Sequence, residues 1–231
     1  MGLAAYQETP GELAVLFKSQ ENILTAHLDD ALEQEICPIC FLGNEAEYRY
    51  LDTLLYEHIN DGITRNELEK SRGFCTYHTH RLLEVGGYGV HAKVAIIYKD
   101  LVDAIADEVR TLDEGRACEI DMNANCPACR AIAEREHVFM GLLSTRLSKE
   151  AVRERYRRSP GLCMRHFFQV YDLSKRAPRA FLKADQLGRL SLLSGDLAEF
   201  IRKSVVQTEP FGDERDVWIR VIRFYAGTLK Q

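Results

Sequence analysis

One pattern of cysteine and histidine occurs twice along the chain and constrains everything around it. The first copy reads Cys37-Pro38-Ile39-Cys40 and then Gly73-Phe74-Cys75-Thr76-Tyr77-His78. The second reads Cys126-Pro127-Ala128-Cys129 and then Gly161-Leu162-Cys163-Met164-Arg165-His166. The gap from Cys40 to Cys75 is 35 positions, and that from Cys129 to Cys163 is 34. All but one of the 7 cysteines fall inside the pattern; the exception is Cys118. Two thiolates two residues apart can share one metal ion, and a Cys-x-x-His pair can complete its tetrahedron. Taken in chain order, the spacing pairs Cys37, Cys40, Cys75 and His78 in one site. Cys126, Cys129, Cys163 and His166 make the other. Each set is a closed Cys₃His site of the structural-zinc kind, with no coordination position left for a substrate.

The surroundings of the ligands recur as well. A shift of 89 aligns Glu45 with Glu134, Glu47 with Glu136, Tyr50 with Phe139 and Leu54 with Leu143; a shift of 88 aligns Arg65 with Arg153, Gly73 with Gly161 and His78 with His166. A shared period in ligands, breaks and apolar positions is the mark of an internal duplication. It divides the chain into an N-terminal helix (1–35), a first metal-binding repeat (36–117), a second (118–206) and a C-terminal helix (207–231).

Helical periodicity runs through all four parts, and no stretch alternates as a strand would. Leu13, Leu16, Phe17, Leu24 and Leu28 mark a helix over 11–35 that starts after Pro10-Gly11. Tyr50, Leu51, Leu54, Leu55 and Ile59 share a face up to the break at Asn60-Asp61-Gly62. Val94, Ile97, Leu101 and Ile105 define a long segment over 92–112, and Leu190, Leu193, Leu197 and Ile201 another. A last helix carries Val217, Trp218, Val221, Ile222 and Tyr225, with Asp213 as its expected N-cap. The fold class is all-α, an internally duplicated helical bundle. Each cysteine pair and each Cys-x-x-His is placed at a helix start, where free N–H groups and the helix dipole stabilise thiolate.

Composition, 46% hydrophobic and 28% charged, is that of a soluble globular chain. No apolar run reaches the roughly 18 residues of a membrane helix, so no membrane partner is expected. The opening MGLAAYQETPGELAVLF has no basic n-region and reads as cytoplasmic, where close cysteine pairs are more often ligands than disulfides. Residues 1–125 carry 10 basic and 23 acidic side chains, whereas 126–190 carry 14 and 6. The basic cluster Arg153, Arg155, Arg157 and Arg158 around Tyr156 can touch phosphate, but a solvated helix face is the plainer reading and nucleic acid is not the expected partner. The recurring pairs Glu45/Glu47 and Glu134/Glu136 are either carboxylates near the metal or first-turn residues favoured by the dipole, and the second reading is the simpler. An iron–sulfur cluster or a dithiol–disulfide couple is the alternative use of the cysteines. Covalent c-type haem requires a histidine directly after the second cysteine, and Phe41 and Arg130 stand there.

With these residues in view the chain resembles a bacterial and archaeal family that is a domain of unknown function. The likeness rests on the two Cys-Pro-x-Cys motifs, the Leu-Leu-Tyr-Glu stretch from Leu54 to Glu57, and the Ser-Arg-Gly-Phe-Cys-x-x-His block from Ser71 to His78. It extends to the Glu209-Pro210-Phe211-Gly212 turn ahead of the helix with Trp218, and covers about residues 30–228. The resemblance implies a metal-binding helical protein and brings no activity with it. The reading is then a metal-stapled interaction or scaffold protein holding two Zn²⁺ and engaging a protein partner. A redox or iron–sulfur protein with its site at the metal centres or between the repeats is the second reading.

Overall fold

The computed structural model describes residues 22–87, 89–112, 125–206 and 209–228. Cys118 and the first half of the expected N-terminal helix, with Leu13, Leu16 and Phe17, lie outside them. The described residues are helical with no strand, as the periodicity requires. Helix α1 covers 22–32. It is followed by α2 (Pro38–Tyr56), α3 (Gly62–Lys70), α4 (Thr76–Val85) and α5 (Val90–Arg110). Then come α6 (Pro127–Arg146), α7 (Glu150–Arg158), α8 (Met164–Leu173), α9 (Arg176–Val206), a 3-10 turn (Asp213–Asp216) and α10 (Val217–Ala226). Helices α2, α3, α4 and α5 have 19, 9, 10 and 21 residues. Helices α6, α7, α8 and α9 have 20, 9, 10 and 31. Among the described residues no helix is long and apolar enough to cross a membrane.

The chain packs as two compact units, one formed by residues up to Leu42 together with those from His137, the other by Gly43–Glu136. Packing thus divides the chain differently from the boundaries at 36–117 and 118–206. The reason lies in two helices: α2 begins in the first unit and continues in the second, and α6 begins in the second and continues in the first.

In the discontinuous unit, Leu28, Leu32, Ile39, Leu42, Phe139, Leu143, Leu147, Leu162, Val170 and Leu182 surround the fully buried Tyr156. The Tyr156 hydroxyl accepts the Leu162 N–H at 3.3 Å. Arg189 of α9 donates to the carbonyls of Ser159 (2.9 Å), Tyr156 (3.1 Å) and Arg157 (3.2 Å), capping the C-terminal end of α7. Its guanidinium fills the space beside Gly161, where a Cβ would lie 2.7 Å from Nε. The basic cluster on α7 is matched by carboxylates: Arg155 by Asp29, Arg157 by Glu150 and Glu154, and Arg158 by Glu154. In the second unit Leu51, Leu54, Leu55, Leu68, Phe74, Leu82, Ile97 and Leu101 make the core. Asp61 caps α3, accepting from the Thr64 N–H at 2.9 Å, so the break at Asn60-Asp61-Gly62 is a helix start with a conventional side-chain cap.

Asp213 is not the N-cap of the last helix. It opens the 3-10 turn, and α10 begins at Val217 behind Asp216. The side chain that fixes this turn is Glu214, which accepts from Lys203 of α9 and from the Gly212 N–H at 2.8 and 2.9 Å. The bond from Lys203 and the backbone donors bring its carboxyl down to about 2. A carboxylate depressed by folding lends stability above its unfolded value near 4.5, and that stability is lost as pH falls through the folded value. Glu214→Gln should therefore lower the melting temperature at neutral pH. The gap from the parent should close as pH drops from about 4.5 toward 2 in thermal scans.

Candidate metal centres

Every ligand pair sits at the mouth of a helix. The carbonyls of Cys37, Cys75, Cys126 and Cys163 accept the N–H of the residue four positions on, at 2.9, 2.9, 3.1 and 2.8 Å. Each first cysteine therefore occupies the N-cap place. In α2 and α6 the next residue is Pro38 or Pro127, whose fixed φ suits the first turn and whose missing N–H costs nothing there. Cys75 and Cys163 share one backbone geometry, φ −63° and ψ 162°, and neither makes a side-chain cap bond. The chain reaches both through a glycine in the left-handed region, Gly73 (φ 91°) and Gly161 (φ 79°), a conformation open to residues without a Cβ.

The structure brings together all eight ligand residues named from the sequence, but not in the expected sets. Cys37 and Cys40 converge with Cys163 and His166 (centre 1), and Cys126 and Cys129 converge with Cys75 and His78 (centre 2). This corrects the pairing in chain order. The cysteine pair that opens α2 stays in the unit that α2 then leaves, so the Cys-x-x-His that follows it along the chain belongs to the other unit. The same holds for α6 in reverse.

Within each set the ligand atoms all lie within 4.8 Å of one another. In centre 1 the His166 Nδ1 is 3.4 Å from both Cys37 Sγ and Cys40 Sγ and 3.3 Å from Cys163 Sγ, and Cys40 Sγ is 3.8 Å from Cys163 Sγ. In centre 2 the His78 Nδ1 is 3.2, 3.5 and 3.3 Å from the sulfurs of Cys75, Cys126 and Cys129, and Cys75 Sγ is 3.7 Å from Cys129 Sγ. A tetrahedral zinc with Zn–S near 2.3 Å and Zn–N near 2.0 Å sets sulfurs about 3.8 Å apart and sulfur and nitrogen about 3.5 Å apart. The side chains stand at very nearly these separations.

The electrostatics of each set favour a divalent cation. Burial raises the Cys37 thiol, and its contacts with Cys163 and Cys40 raise it further. Contacts with Cys37 and Cys40 bring Cys163 down. In centre 2 burial works to raise Cys126, yet the His78 contact brings it to about 6. Cys129 is pushed up to about 12 by burial and then by the Cys126 charge beside it. Burial works against the His78 imidazolium, but Cys126, Glu47 and Cys75 carry it to about 10. Three crowded thiols thus hold their protons at the expense of one another. A cation takes the place of those protons and releases them.

Support for the ligands differs between the centres. Glu47 and Arg81 hold His78 in place: Glu47 Oε1 lies 3.3 Å from His78 Nε2, and Arg81 Nε donates to Glu47 Oε2 at 3.0 Å. The first contact is an ion-pair distance whose alignment falls short of a full hydrogen bond. A carboxylate on the far nitrogen of a ligating histidine fixes its tautomer and raises its basicity. Glu47 is buried and lies mid-helix in α2, which has no acidic residue in its first turn, so the dipole reading of this pair is replaced by the carboxylate one. Glu136 is likewise buried, while Glu134 is exposed. At centre 1 the His166 Nε2 lies 3.0 Å from Arg165 Nη2. Ligation through Nδ1 would leave a proton on Nε2, which could then no longer accept from the exposed Arg165.

Arg81 and Gly227 escaped the sequence reading. Arg81 carries no signal beyond its place three residues after His78. Gly227 (φ 87°) follows α10, and a Cβ there would lie 2.9 Å from Cys40 Sγ and 3.5 Å from Cys163 Sγ, so the backbone itself covers centre 1. Glu47→Gln should weaken zinc at centre 2 by about 10- to 100-fold and leave centre 1 unchanged, read by competition with a calibrated chelator.

An uncharacterized 23.9 kDa protein in the xynA 3' region of Caldicellulosiruptor sp. (strain Rt8B.4) is 26% identical over 210 residues, spanning 85% of this chain and 97% of that protein. No solved structure matches the chain. The model of a family of unknown function, DUF6062, matches residues 19–231, and the chain belongs to that family.

Proposed function

We propose that the protein is a structural zinc protein, each of its units stapled by one Zn²⁺, and that it serves in the cytoplasm as a scaffold for a protein partner. The observation that carries the reading is the pair of closed ligand cages. Four protein atoms, all within 4.8 Å of one another, make each cage, which suits one ion and leaves no place for a substrate. A cluster of two or four irons brings its own sulfides, and that core already fills a cage of this width. Thiolate and imidazole ligands in a tetrahedron, with no redox demand, suit zinc above the harder divalent ions. The matching order and lengths of α2–α4 and α6–α8, together with the recurring ligand geometry, support an origin by duplication. A structural ion contributes folding free energy directly, because its site exists only in the folded chain.

The scaffold reading rests on what the centres leave over. Their ligands are consumed in holding the units, so recognition falls to surfaces. Exposed apolar side chains on α10, namely Trp218, Ile222 and Tyr225, recur at helical spacing and offer such a surface. A redox role for the same cysteines is the second reading, and it is favoured by the exposure of Cys129.

Metal content and paired substitutions test the assignment. The purified protein should hold two zinc per chain without a visible absorption band. Cys40→Ser combined with His166→Ala should leave one zinc, because both belong to centre 1. Cys40→Ser combined with His78→Ala should leave none. Removal of both zinc ions by a chelator should lower the melting temperature by about 20 °C, given ions held about a thousandfold tighter than their free concentration. Iron in place of zinc, or unchanged melting after metal removal, would contradict the reading.

A further inference from the structure

The two centres are alike in ligands and in spacing and unlike in access. In centre 1 Cys37, Cys40, Cys163 and His166 are all buried, and the Cys40–Cys163 pair is roofed by Gly227. In centre 2 Cys129 is exposed and Cys75 is half-buried, while Cys126 and His78 are buried. Cys129 and Cys75 hold the same places in their motifs as Cys40 and Cys163, and their sulfurs stand 3.7 Å apart against 3.8 Å. Among the described glycines none stands against the Cys75 and Cys129 sulfurs as Gly227 stands against those of Cys40 and Cys163. Shared geometry with unequal access is a controlled comparison made within one molecule.

Thiol oxidation follows thiolate character and exposure, and it runs fastest where a second thiol stands ready to resolve the product. A bound ion holds its sulfur ligands as thiolates, including Cys129, whose proton is otherwise retained, so at centre 2 an attacking sulfur at the surface has its resolving sulfur within contact distance. We infer that Cys129 is a site of oxidation by hydroperoxides, and that its disulfide with Cys75 expels the ion of centre 2 while centre 1 keeps its own. The inference rests on the metal reading above and adds a redox-sensitive function to one of the two sites.

The chemistry balances. The Cys129 thiolate attacks the hydroperoxide, an S–O bond forms, the O–O bond breaks, and the alkoxide leaves as an alcohol after taking a proton from water. The sulfenic acid is then attacked by the Cys75 thiolate; the S–S bond forms, the S–O bond breaks, and the hydroxide leaves as water once protonated. Two electrons pass from the two sulfurs to the peroxide. The ion is left with Cys126 and His78, two ligands of four, and departs. A dithiol reductant reverses the exchange and restores the cage.

The test uses the full chain with its measured zinc and hydrogen peroxide as the hydroperoxide, a chromogenic chelator reporting free zinc. One equivalent should appear at least about tenfold faster than the second, as expected from the difference in exposure. Peptide mapping of the fast product should find the Cys75–Cys129 disulfide, with Cys37, Cys40 and Cys163 still reduced. Gly227→Ala, whose added Cβ meets Cys40 Sγ at 2.9 Å and so forces the covering backbone to move off the sulfurs, should bring the second release closer to the first. A preparation without zinc overturns the metal reading itself. A two-zinc preparation that releases both ions at one rate, releases neither, or forms the disulfide within centre 1 overturns this inference alone. Unchanged second release in a folded Gly227→Ala overturns the role given to access.

Discussion

The convergence of one helix mouth on another is the constraint on which both units depend. A cysteine pair at the start of a long helix meets a Cys-x-x-His at the start of a short one, with sulfur–nitrogen distances of 3.2–3.5 Å throughout. The helix starts bring free N–H groups and positive dipole ends toward the sulfurs, which is the environment a thiolate needs. The apolar cores then form around fixed points. In the discontinuous unit Leu162 and Phe167 pack beside Cys163, and in the second unit Phe74 and Leu82 flank the Cys75 and His78 helix. Side chains that make no contact with a metal serve the same end. Arg189 secures the carbonyls at the end of α7 and thereby the turn that delivers Cys163, while Ser71 bonds the Leu68 and Gly73 carbonyls ahead of Cys75.

Much of this was legible in the chain itself. The ligand residues, the helix starts and the all-α class follow from motif spacing and from periodicity, because N-cap preference and apolar recurrence are local properties. The break at Asn60-Asp61-Gly62 was readable for the same reason. The partnership of the motifs was not. Gaps of 35 and 34 residues are nearly equal, so nothing in the spacing distinguishes a Cys-x-x-His that closes on the preceding pair from one that closes on the other pair. The decision is taken by long helices that carry the chain out of one unit and into the next, and helix direction leaves no trace in composition. Asp213 misled for a related reason: a 3-10 turn of four residues intervenes before α10, and short turns of this kind carry weak sequence signals. Glu47 was visible as a recurring acid, but its role depended on finding His78 in front of it.

The two centres also show how one motif takes on different properties from its surroundings. The distances within each cage are the same to within a few tenths of an ångström. What differs lies outside: a carboxylate and an arginine behind His78, an arginine beside His166, and a glycine backbone over one pair of sulfurs. Basicity and exposure are set by these neighbours, so a repeated ligand set can separate into a more buried site and a more exposed one with no change in its ligands.

The crossed pairing of the motifs also fixes the order in which the two ligand sets are completed as the chain is made. The last ligand of centre 2 is Cys129, and all its partners precede it, whereas centre 1 waits for His166 while its first ligands, Cys37 and Cys40, have long since left the ribosome. At about 5–20 residues per second the inner cage is complete a few seconds before the outer one. During that interval the two earliest cysteines are without the Cys163 and His166 they meet in the folded chain, while all four members of the other set have been made.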